Sequence, residues 1–467
     1  MTAISDRARA LAAEYADRGG LLDDLRALVS VPTESQNPGA AEVLRRYLEK
    51  DLAPFLTEPR FEARLHGNPE PDGGPFLVAT RHEGDGLPTV LIYGHGDVVN
   101  GNPADWREGL DPWTVTVEGN RIYGRGTADN KGQHLVALKA LSLAAKARGG
   151  NLGFNAKVII ETGEERGSIG LAAFLEGNID LLAADVFIGV DGPRQCFSRP
   201  EIRLGNRGVV AFDLAVNLRD GSHHSGHWGG VLADPGVLLA HALSNVVSAD
   251  GRILIPEWVP RSIPEPVRAA CRAMIADPVP GMPESDAGWG EPGMNRLERT
   301  HIWSGVTIQT LLSGNPARPM NAVQPSARAR VEIRHTVDAD PEGFLPALRR
   351  RLDDLGLDRV VIEPVADEVP FPAHRTDPSD PWVVKVIGLL EETTGETVNV
   401  VPCSSGSDPG GLFTQALGVP VIWMPHSYAG CRQHGPDEHA MGSLLRRGLG
   451  DMAGLFAALG EGARLSV

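Results

Sequence analysis

Cysteine is scarce in this sequence, and the cysteines present form no recognisable pair. The 467-residue chain contains four cysteines, which lie far apart and include no CxxC motif. Closely spaced thiols are typical of structural zinc sites, and a high density of cysteines is typical of disulfide frameworks. The sequence therefore predicts neither a disulfide-stapled fold nor a thiolate metal site.

Long apolar runs and an excess of basic residues are also missing. Residues 1–20 carry charges throughout, without the apolar core of a signal peptide, and no run approaches the length of a membrane span. The 44 basic residues are outnumbered by 60 acidic ones, which gives a formal net charge of −16. This balance argues against nucleic acid and anionic membranes as partners, and it is compatible with bound cations. We therefore expect a soluble cytoplasmic protein.

Strand and helix patterns alternate along most of the chain. Apolar runs at residues 89–93, 156–162 and 185–190 predict buried strands, and the spacing of leucines over residues 130–146 predicts a helix. The alternation resumes in the last quarter of the chain. It predicts an α/β fold with a mostly parallel sheet and helices on both faces.

The pattern changes in the middle of the chain. Residues 208–217 alternate apolar and polar side chains, as half-exposed antiparallel strands do. A stretch rich in proline, glycine and charge, residues 251–300, has no assignable element. We predict a small α+β unit at residues 207–368, inserted into a larger, discontinuous domain formed by residues 1–206 and 369–467.

Chemically versatile side chains follow the predicted strands. His95 and Asp97 come at the end of the first strand, and on extended backbone two residues so spaced share a face. The imidazole of His95 can then bind a metal while the carboxylate of Asp97 accepts its other N–H. Taken alone, the pair is more typical of an ordinary turn at a strand end.

Asp129 stands at the start of the predicted helix, where aspartate is a common N-cap. The flanking Gly124, Gly126 and Gly132 exceed what a simple cap requires, because a cap needs at most one residue of unusual backbone conformation. The glycines therefore favour a functional role for this aspartate over the cap alone.

Further carboxylates follow the next two strands. Glu164 and Glu165 are adjacent, and Asp191 closes the third strand. One carboxylate of the pair can bind a metal and the other can accept a proton from water; the alternative is a solvated acidic turn. Carboxyl ends of strands are where open α/β sheets place their sites. Together with His95 and Asp129, these residues predict a divalent metal site with a carboxylate base.

Taken together, the motifs resemble those of the M20 metallopeptidases. The resemblance runs in order along nearly the whole chain and is carried by Gly94-His95-Gly96-Asp97, Gly124-Arg125-Gly126 with Asp129 and Lys131-Gly132, Glu164-Glu165 with Gly167-Ser168, Val190-Asp191, His224-Ser225-Gly226 with Gly229-Gly230, and His434 with Asp437-Glu438. The long middle excursion is most similar to the carnosinase-like dipeptidase branch, and bacterial acyl-amino-acid deacylases are close. The resemblance implies a di-metal peptidase domain with an inserted lid and dimerisation domain.

The resemblance implies roles at the matched positions of the metal site. Asp129 would bridge two zinc ions, with cobalt or manganese as alternative metals. His95 and Asp191 would complete one metal position. Glu165 and His434 would complete the other.

The same resemblance implies that Glu164 is the general base, that Asp97 orients His95, and that the Asp129–Asn130 peptide bond is cis. The last metal ligand has competitors nearby.

His426 and His439 lie close to His434 in the sequence. The family pattern is a histidine followed within a few residues by an acidic pair ending in glutamate. His434, followed by Glu438, fits that pattern and the other two histidines do not.

Substrate-binding roles are also implied at matched positions. His224 would stabilise the developing oxyanion and, in dimeric relatives, reaches the partner's site; the alternative is a solvated loop histidine. Arg334 matches an arginine that binds a substrate carboxylate, which a guanidinium fork suits; the alternative is a surface strand arginine. His374, Ser407 and Asn321 fall where dipeptidase relatives place further substrate contacts.

The expected activity is hydrolysis of an amide bond in a small carboxylate-bearing substrate such as a dipeptide, by a homodimer joined through the inserted unit. One alternative is a hydrolase of N-acyl or N-carbamoyl amino acids or of another C–N bond, and another is a metal-holding scaffold without catalysis. The scaffold is disfavoured because the base and every ligand match. Two departures bear on substrate choice: residues 98–113 lack the usual proline-rich form around Trp106, and Asp408 replaces an apolar residue.

Overall fold

Two β-sheets of different character organise the computed structural model, which describes residues 3–365 and 371–462. The α-helices are α1 (Ala3–Asp17), α2 (Gly20–Val29), α3 (Ala41–Arg46), α4 (Lys131–Ala147), α5 (Leu171–Gly177), α6 (Ile179–Leu182), α7 (Ser225–Trp228), α8 (Pro235–Ser244), α9 (Glu265–Ala273), α10 (Arg296–His301), α11 (Phe344–Asp354), α12 (Pro381–Thr394), α13 (Gly410–Leu417) and α14 (Gly442–Glu461). Across the described stretches, no helix combines the length and the apolar character that a membrane crossing requires.

The strands are β1 (Glu62–His66), β2 (Phe76–Arg81), β3 (Thr89–His95), β4 (Thr116–Glu118), β5 (Arg121–Tyr123), β6 (Asn155–Glu161), β7 (Val186–Gly189), β8 (Pro193–Arg194), β9 (Glu201–Arg203), β10 (Gly205–Asn206), β11 (Gly208–Asn217), β12 (His223–His224), β13 (Gly305–Ser313), β14 (Ala322–Val323), β15 (Ser326–His335), β16 (Val361–Pro364), β17 (His374–Arg375), β18 (Asn399–Val401), β19 (Val421–Trp423), β20 (Ser427–Tyr428) and β21 (His439–Met441).

The large sheet has the strand order β1-β2-β6-β3-β7-β19-β9-β18. Its centre is parallel, since β6, β3, β7 and β19 pair in parallel, whereas β1 and β2 join antiparallel at one edge. This confirms the predicted α/β class with a mostly parallel sheet.

Side chains of β3 show why both faces of the large sheet are covered. Val90 and Ile92 belong to the core that α1, α2, α4 and α14 complete. Leu91 and Tyr93 point the other way, into a second core completed by α5 and α13. Successive residues of a strand face opposite sides, so a continuous apolar run needs helices on both.

The small sheet has the order β13-β15-β11-β16, and every pairing in it is antiparallel. Leu214 and Val331 point into its own core, which α8 and α11 cover. Asp213, the neighbour of Leu214 in β11, lies on the other face and accepts hydrogen bonds from the guanidinium groups of Arg328 and Arg330. The alternation predicted from residues 208–217 is therefore a one-sided antiparallel sheet.

A two-stranded ribbon joins the two sheets. The chain leaves the large sheet through β10 and comes back through β17, and the two pair antiparallel, with Gly205 opposite Arg375 and Asn206 opposite His374. The predicted domain division near residues 206 and 368 remains a prediction, and its second boundary lies outside the described residues.

The excursion at residues 251–300 contains α9 and α10 and returns to the large sheet. The side chain of Asn399, at the start of β18, accepts a hydrogen bond from the Ile275 N–H at 2.8 Å and donates one to the Ile275 carbonyl at 3.0 Å. The Asp277 N–H donates to the Gln195 carbonyl at 2.9 Å. Val267 and Cys271 of α9 pack with Ile302 in a small apolar cluster of their own, and the stretch is tied to the large sheet by these isolated hydrogen bonds, which no sequence pattern marks.

Several predicted boundaries shift for local reasons. The helix predicted from Ser168 begins at Leu171, because the preceding residues Glu164–Arg166 form a 3-10 turn. The last helix begins at Gly442 rather than near Ala440, because β21 pairs with β5 first.

Candidate active site

Three parallel strands of the large sheet end at the candidate site. His95 is the last residue of β3, the Glu164–Arg166 turn follows β6, and Asp191 follows β7 by two residues. Parallel neighbours end at the same edge, so these side chains converge there. Asp129 joins them from just before α4, and His434 from the loop between β20 and β21.

The first group of metal-ligating side chains consists of His95, Asp129 and Asp191. His95 Nε2 lies 2.9 Å from Asp129 Oδ1 and 3.9 Å from Asp191 Oδ1. All three residues are buried, and their ligand atoms lie within 4.8 Å of one another. One cation can therefore contact all three at once.

The second group consists of Asp129, Glu165 and His434. His434 Nε2 lies 3.1 Å from Asp129 Oδ2 and 3.0 Å from Glu165 Oε2. Asp129 thus offers one carboxylate oxygen to each group. Glu165 Oε1 is buried and has no hydrogen-bond partner among the described residues.

Asp97 connects the two glutamates to His95. Its two carboxylate oxygens accept the backbone N–H groups of Glu164 and Glu165, each at 3.2 Å. His95 Nδ1 lies 3.3 Å from Asp97 Oδ1 and 3.1 Å from the Asp97 carbonyl oxygen. A proton on Nδ1 is shared with these acceptors, which leaves the Nε2 lone pair for a metal.

The carboxylates of the site repel one another. Burial raises the pKa of Glu164 well above its ordinary value, and the nearby Asp191 and Glu165 raise it further. Burial and the charge of Asp129 raise the pKa of Glu165 to about 7 and that of Asp191 to about 6. Burial opposes ionisation of Asp129 as well, but hydrogen bonds with the two histidines lower its pKa. Two divalent cations would bring enough positive charge to keep all four ionised.

The loop that presents Asp129 is held by Glu438. The carboxylate of Glu438 accepts the backbone N–H groups of Gly126, Ala128 and Asp129 at 3.0–3.1 Å and binds Arg125 Nη1 at 2.6 Å. The sequence had marked Glu438 only as the end of an acidic pair. Its contacts show that it fixes a loop more than 300 residues away in the chain.

One of the conspicuous glycines has a steric explanation. A Cβ atom on Gly132 would lie 2.1 Å from the carbonyl oxygen of Thr127, so no larger residue fits against this turn. The Asp129–Asn130 peptide bond at the same turn is cis, as the resemblance implied.

Three residues that the sequence reasoning missed contact the ligands. Asn130 Nδ2 donates to Asp191 Oδ1 at 3.0 Å, and Gln433 Nε2 donates to Asp129 Oδ2. Arg203 Nη2 donates to the Asp191 carbonyl at 2.7 Å. Asn130 and Gln433 are each adjacent in sequence to a ligand, which is a usable signal; nothing in the sequence marks Arg203.

The two competing histidines lie elsewhere. His426 is buried with Nε2 3.1 Å from Met452 Sδ, and burial lowers its pKa to about 3. The hydroxyl of Tyr428 lies 2.6 Å from His439 Nε2. Among the three histidines, the structure brings His434 to Asp129.

Two of the predicted substrate contacts are brought together. Arg334 Nη1 lies 3.5 Å from Ser407 Oγ, which itself donates to the Arg207 carbonyl at 2.8 Å. His374 is buried with Nε2 3.3 Å from Asp408 Oδ1. Asp408, the departure noted in the sequence, thus faces a predicted substrate contact.

His224 and Asn321 lie together at the short β12–β14 pair. His224 is exposed and pairs with Ala322 across β12 and β14, and the Ser225 N–H donates to the Asn321 carbonyl at 2.8 Å. No hydrogen bond or ion pair within residues 3–365 and 371–462 links His224 to the metal-ligating groups.

Comparisons with known proteins give the following matches. A family model described as "Peptidase family M20/M25/M40" matches residues 91–456. The Beta-Ala-His dipeptidase of Mus musculus is 36% identical over 186 residues, which cover 39% of this chain and 37% of that protein. The cysteinylglycine-S-conjugate dipeptidase of Corynebacterium striatum is 34% identical over 184 residues, 39% of each chain.

Among solved structures, an M20 family metallo-carboxypeptidase from Sulfolobus solfataricus superposes with a TM-score of 0.77 at 23% identity, covering 94% of this chain and 99% of the other. The fold therefore matches over nearly its whole length, whereas the segment aligned to the curated relatives spans well under half of each.

We predict that Glu438→Gln destabilises the site because the neutral amide cannot replace a carboxylate that binds Arg125 and three N–H groups at once. Breaking a buried ion pair typically lowers the free energy of unfolding by about 3–5 kcal/mol. Urea denaturation of metal-free protein measures the loss. Glu118→Gln, in the exposed pair with Arg107, is the matched control and should leave the midpoint in place. An unchanged midpoint for Glu438→Gln would contradict the anchoring role.

Proposed function

We propose, because this chain belongs to peptidase family M20/M25/M40, that it is a metal-dependent hydrolase of peptide bonds in small substrates with a free carboxylate. The observation that carries the proposal is the sharing of Asp129 between two groups of metal-ligating side chains. Glu164 stands beside them on the same turn as Glu165. The site thus combines metal ligands with a separate carboxylate.

Two divalent ions, with zinc as the proposed metal, would be held by the two groups. The donor set fits, because imidazole and carboxylate are ligands that zinc accepts. The unpartnered, buried Glu165 Oε1 offers a further lone pair beside the second group. When bound, the ions would polarise the scissile carbonyl and make water nucleophilic at neutral pH.

Glu164 would act as the general base. Its raised pKa makes its carboxylate a stronger proton acceptor than an exposed glutamate. Glu164 would take a proton from the attacking water and pass it to the nitrogen of the leaving amine. Asp97 would position both the base and His95, since one carboxylate binds the Glu164 N–H and lies beside the imidazole.

Arg334 would bind the substrate carboxylate. Its guanidinium is partly exposed and lies beside the Ser407 hydroxyl, and a planar fork matches a planar carboxylate. His374 and Asn321 are further proposed contacts: the first is buried beside Asp408, and the second lies beside His224.

A dipeptide is the proposed substrate. Two of the matched relatives are named as dipeptidases. A screen of dipeptides against N-acyl and N-carbamoyl amino acids, with zinc, cobalt or manganese added to stripped protein, separates peptidase from deacylase activity. Turnover of the acylated amino acids alone would replace the dipeptide proposal with the deacylase one.

A homodimer through the small sheet is proposed as the working form. Strand β13 is an edge strand whose apolar Ile308, Leu311 and Leu312 are exposed. The start of α8 lies against its end, since a Cβ on Gly236 would lie 2.8 Å from Ser313 Oγ. An unpaired edge bearing apolar side chains favours pairing with another copy.

The position of His224 also favours a dimer. Its imidazole is exposed on the short β12–β14 pair and belongs to neither metal-ligating group of its own chain, among the residues the structure describes. Delivery into the partner's site, as the resemblance implies, would give this histidine a substrate to contact. In that role it would stabilise negative charge on the reacting carbonyl oxygen.

Metal analysis is expected to find two divalent ions per chain, and stripping them should abolish turnover. His434→Ala should lower the metal content, because it removes a ligand of the second group; exposed His82→Ala is the control and should not. Elemental analysis by mass spectrometry after dialysis measures both. If His439→Ala lost metal while His434→Ala kept it, the ligand assignment would be wrong.

Glu164→Gln is expected to keep both metals and to lower kcat by on the order of 10²-fold or more, because the amide has the same shape but cannot accept the proton. Steady-state kinetics and metal analysis of the same sample test this. Glu176→Gln, exposed on α5, is the matched control. A near-normal kcat would remove Glu164 as the base.

Mixed dimers test the shared site. Neither His224→Ala nor Glu164→Gln protein should be active alone, whereas a hybrid has one site with both Glu164 and the partner's histidine. Activity should partly return once subunits exchange, and Leu311→Asp should prevent this by keeping the chains monomeric. Confirmed hybrids without activity would overturn the shared site, and a monomeric wild-type protein in sedimentation would overturn the dimer.

A further inference from the structure

Arg207 is a buried arginine without a carboxylate partner among the described residues. The residue is only 8% exposed. Nε and Nη2 both donate to the carbonyl oxygen of Ser405, at 3.1 and 2.8 Å, and Nη1 makes no hydrogen bond within the described chain. Buried charges are costly unless an opposite charge compensates them. Arg207 therefore brings a positive charge that the described residues do not balance with an ion pair.

Two polar side-chain atoms without a partner in the part of the chain that the structure describes lie on the segment that approaches this guanidinium. A Cβ on Gly305 would lie 3.6 Å from Arg207 Nη1, so the chain at Ser304 passes next to it. Ser304 Oγ is buried without a hydrogen-bond partner in the described residues, and so is His301 Nε2. Burial, with a smaller effect of Arg207, lowers the pKa of His301 to about 4, so this ring is neutral and adds no charge.

The register of the small sheet places these residues next to Arg334. Arg334 on β15 pairs with Val209 on β11 and with Gly305 on β13. Arg207 stands two residues before Val209, and Ser304 one residue before Gly305, so all three side chains lie at the same end of the sheet. Ser407 links the two arginines, because its hydroxyl lies 3.5 Å from Arg334 Nη1 and donates to the Arg207 carbonyl.

The charges of this cluster do not cancel. Glu332 Oε1 accepts a hydrogen bond from Arg334 Nε at 3.1 Å, and Glu332 Oε2 accepts one from Gln309 at 3.0 Å. The single negative charge of Glu332 therefore compensates only one of the two positive charges of Arg207 and Arg334. The cluster suits a ligand with more than one negative charge.

We infer that Arg207 and Ser304 form a subsite for a second carboxylate of the substrate, beside the one bound by Arg334. The preferred substrates are then dipeptides that end in an acidic residue, with the α-carboxylate on Arg334 and the side-chain carboxylate on Arg207. This inference rests on the proposed hydrolase function. A guanidinium and a hydroxyl together match the two oxygens of a carboxylate.

Matched substrates test the subsite. For wild-type protein, kcat/KM for Ala-Glu should exceed that for the isosteric Ala-Gln by on the order of 10-fold or more, the effect of one charge-assisted hydrogen bond. Arg207→Gln should bring the ratio close to unity, because the amide still reaches the Ser405 carbonyl but carries no charge. Ser304→Ala should reduce the ratio by a smaller factor.

Arg219→Gln is the matched control. Arg219 is also a partly buried arginine that donates to backbone carbonyls, those of Gln324 and Ala233, but it lies apart from Arg334. Its replacement should leave the Ala-Glu to Ala-Gln ratio unchanged. Equal turnover of the two peptides by wild-type protein, or an unchanged ratio in Arg207→Gln, would overturn the subsite.

A binding measurement separates this inference from the proposed function. Calorimetry of metal-loaded Glu164→Gln protein with N-acetylglutamate and N-acetylglutamine, at equal ionic strength, needs no turnover. Tighter binding of the dicarboxylate, lost when Arg207→Gln is added, would support the subsite even if no peptide is hydrolysed. Equal affinities would overturn it, whether or not the protein is a peptidase.

Discussion

Mutual repulsion among buried carboxylates is the constraint on which the site depends. Asp129 and Glu165 lie in one site with two further acidic groups, and hydrogen bonds fix the backbone at both residues. The Glu438 carboxylate accepts three backbone N–H groups of the loop at Asp129, and the Asp97 carboxylate accepts the backbone N–H of Glu165. Buried hydrogen bonds and an ion pair therefore hold these repelling carboxylates close together, and bound cations would compensate their negative charge.

Much of this site could be predicted from the sequence, because its residues lie at the ends of strands and at the start of a helix, and hydrophobic patterns locate both. His95 is the last residue of β3, and Asp129 lies just before α4. The acidic pair after β6 is equally visible. What the sequence could not provide is the partner of each group: that Glu438 anchors the Asp129 loop, or that Arg203 binds the Asp191 carbonyl, depends on contacts between segments far apart in the chain.

Some strands of the fold could likewise be predicted from the sequence, and others could not. Long apolar runs such as β3 and β6 were predictable, since burial on both faces leaves an unbroken hydrophobic signal. The edge strand β1 was missed because its side chains are largely exposed and charged, and the three-residue strands β9 and β18 are too short for any period to register. Arg207 could not be recognised from the sequence, because its burial without an ion pair among the described residues depends on tertiary packing, which no local sequence pattern shows.

The hydrogen bonds between Asn399 and Ile275 also restrict how the two sheets can move. The β10–β17 ribbon alone would allow the small sheet both to bend and to twist against the large one. Asn399 pairs with Glu201, four residues before the ribbon begins, so the excursion adds a second point of attachment along the same strand. As long as those hydrogen bonds hold, the small sheet is hindered from twisting about the ribbon, because the excursion fixes it to the large sheet at a second place.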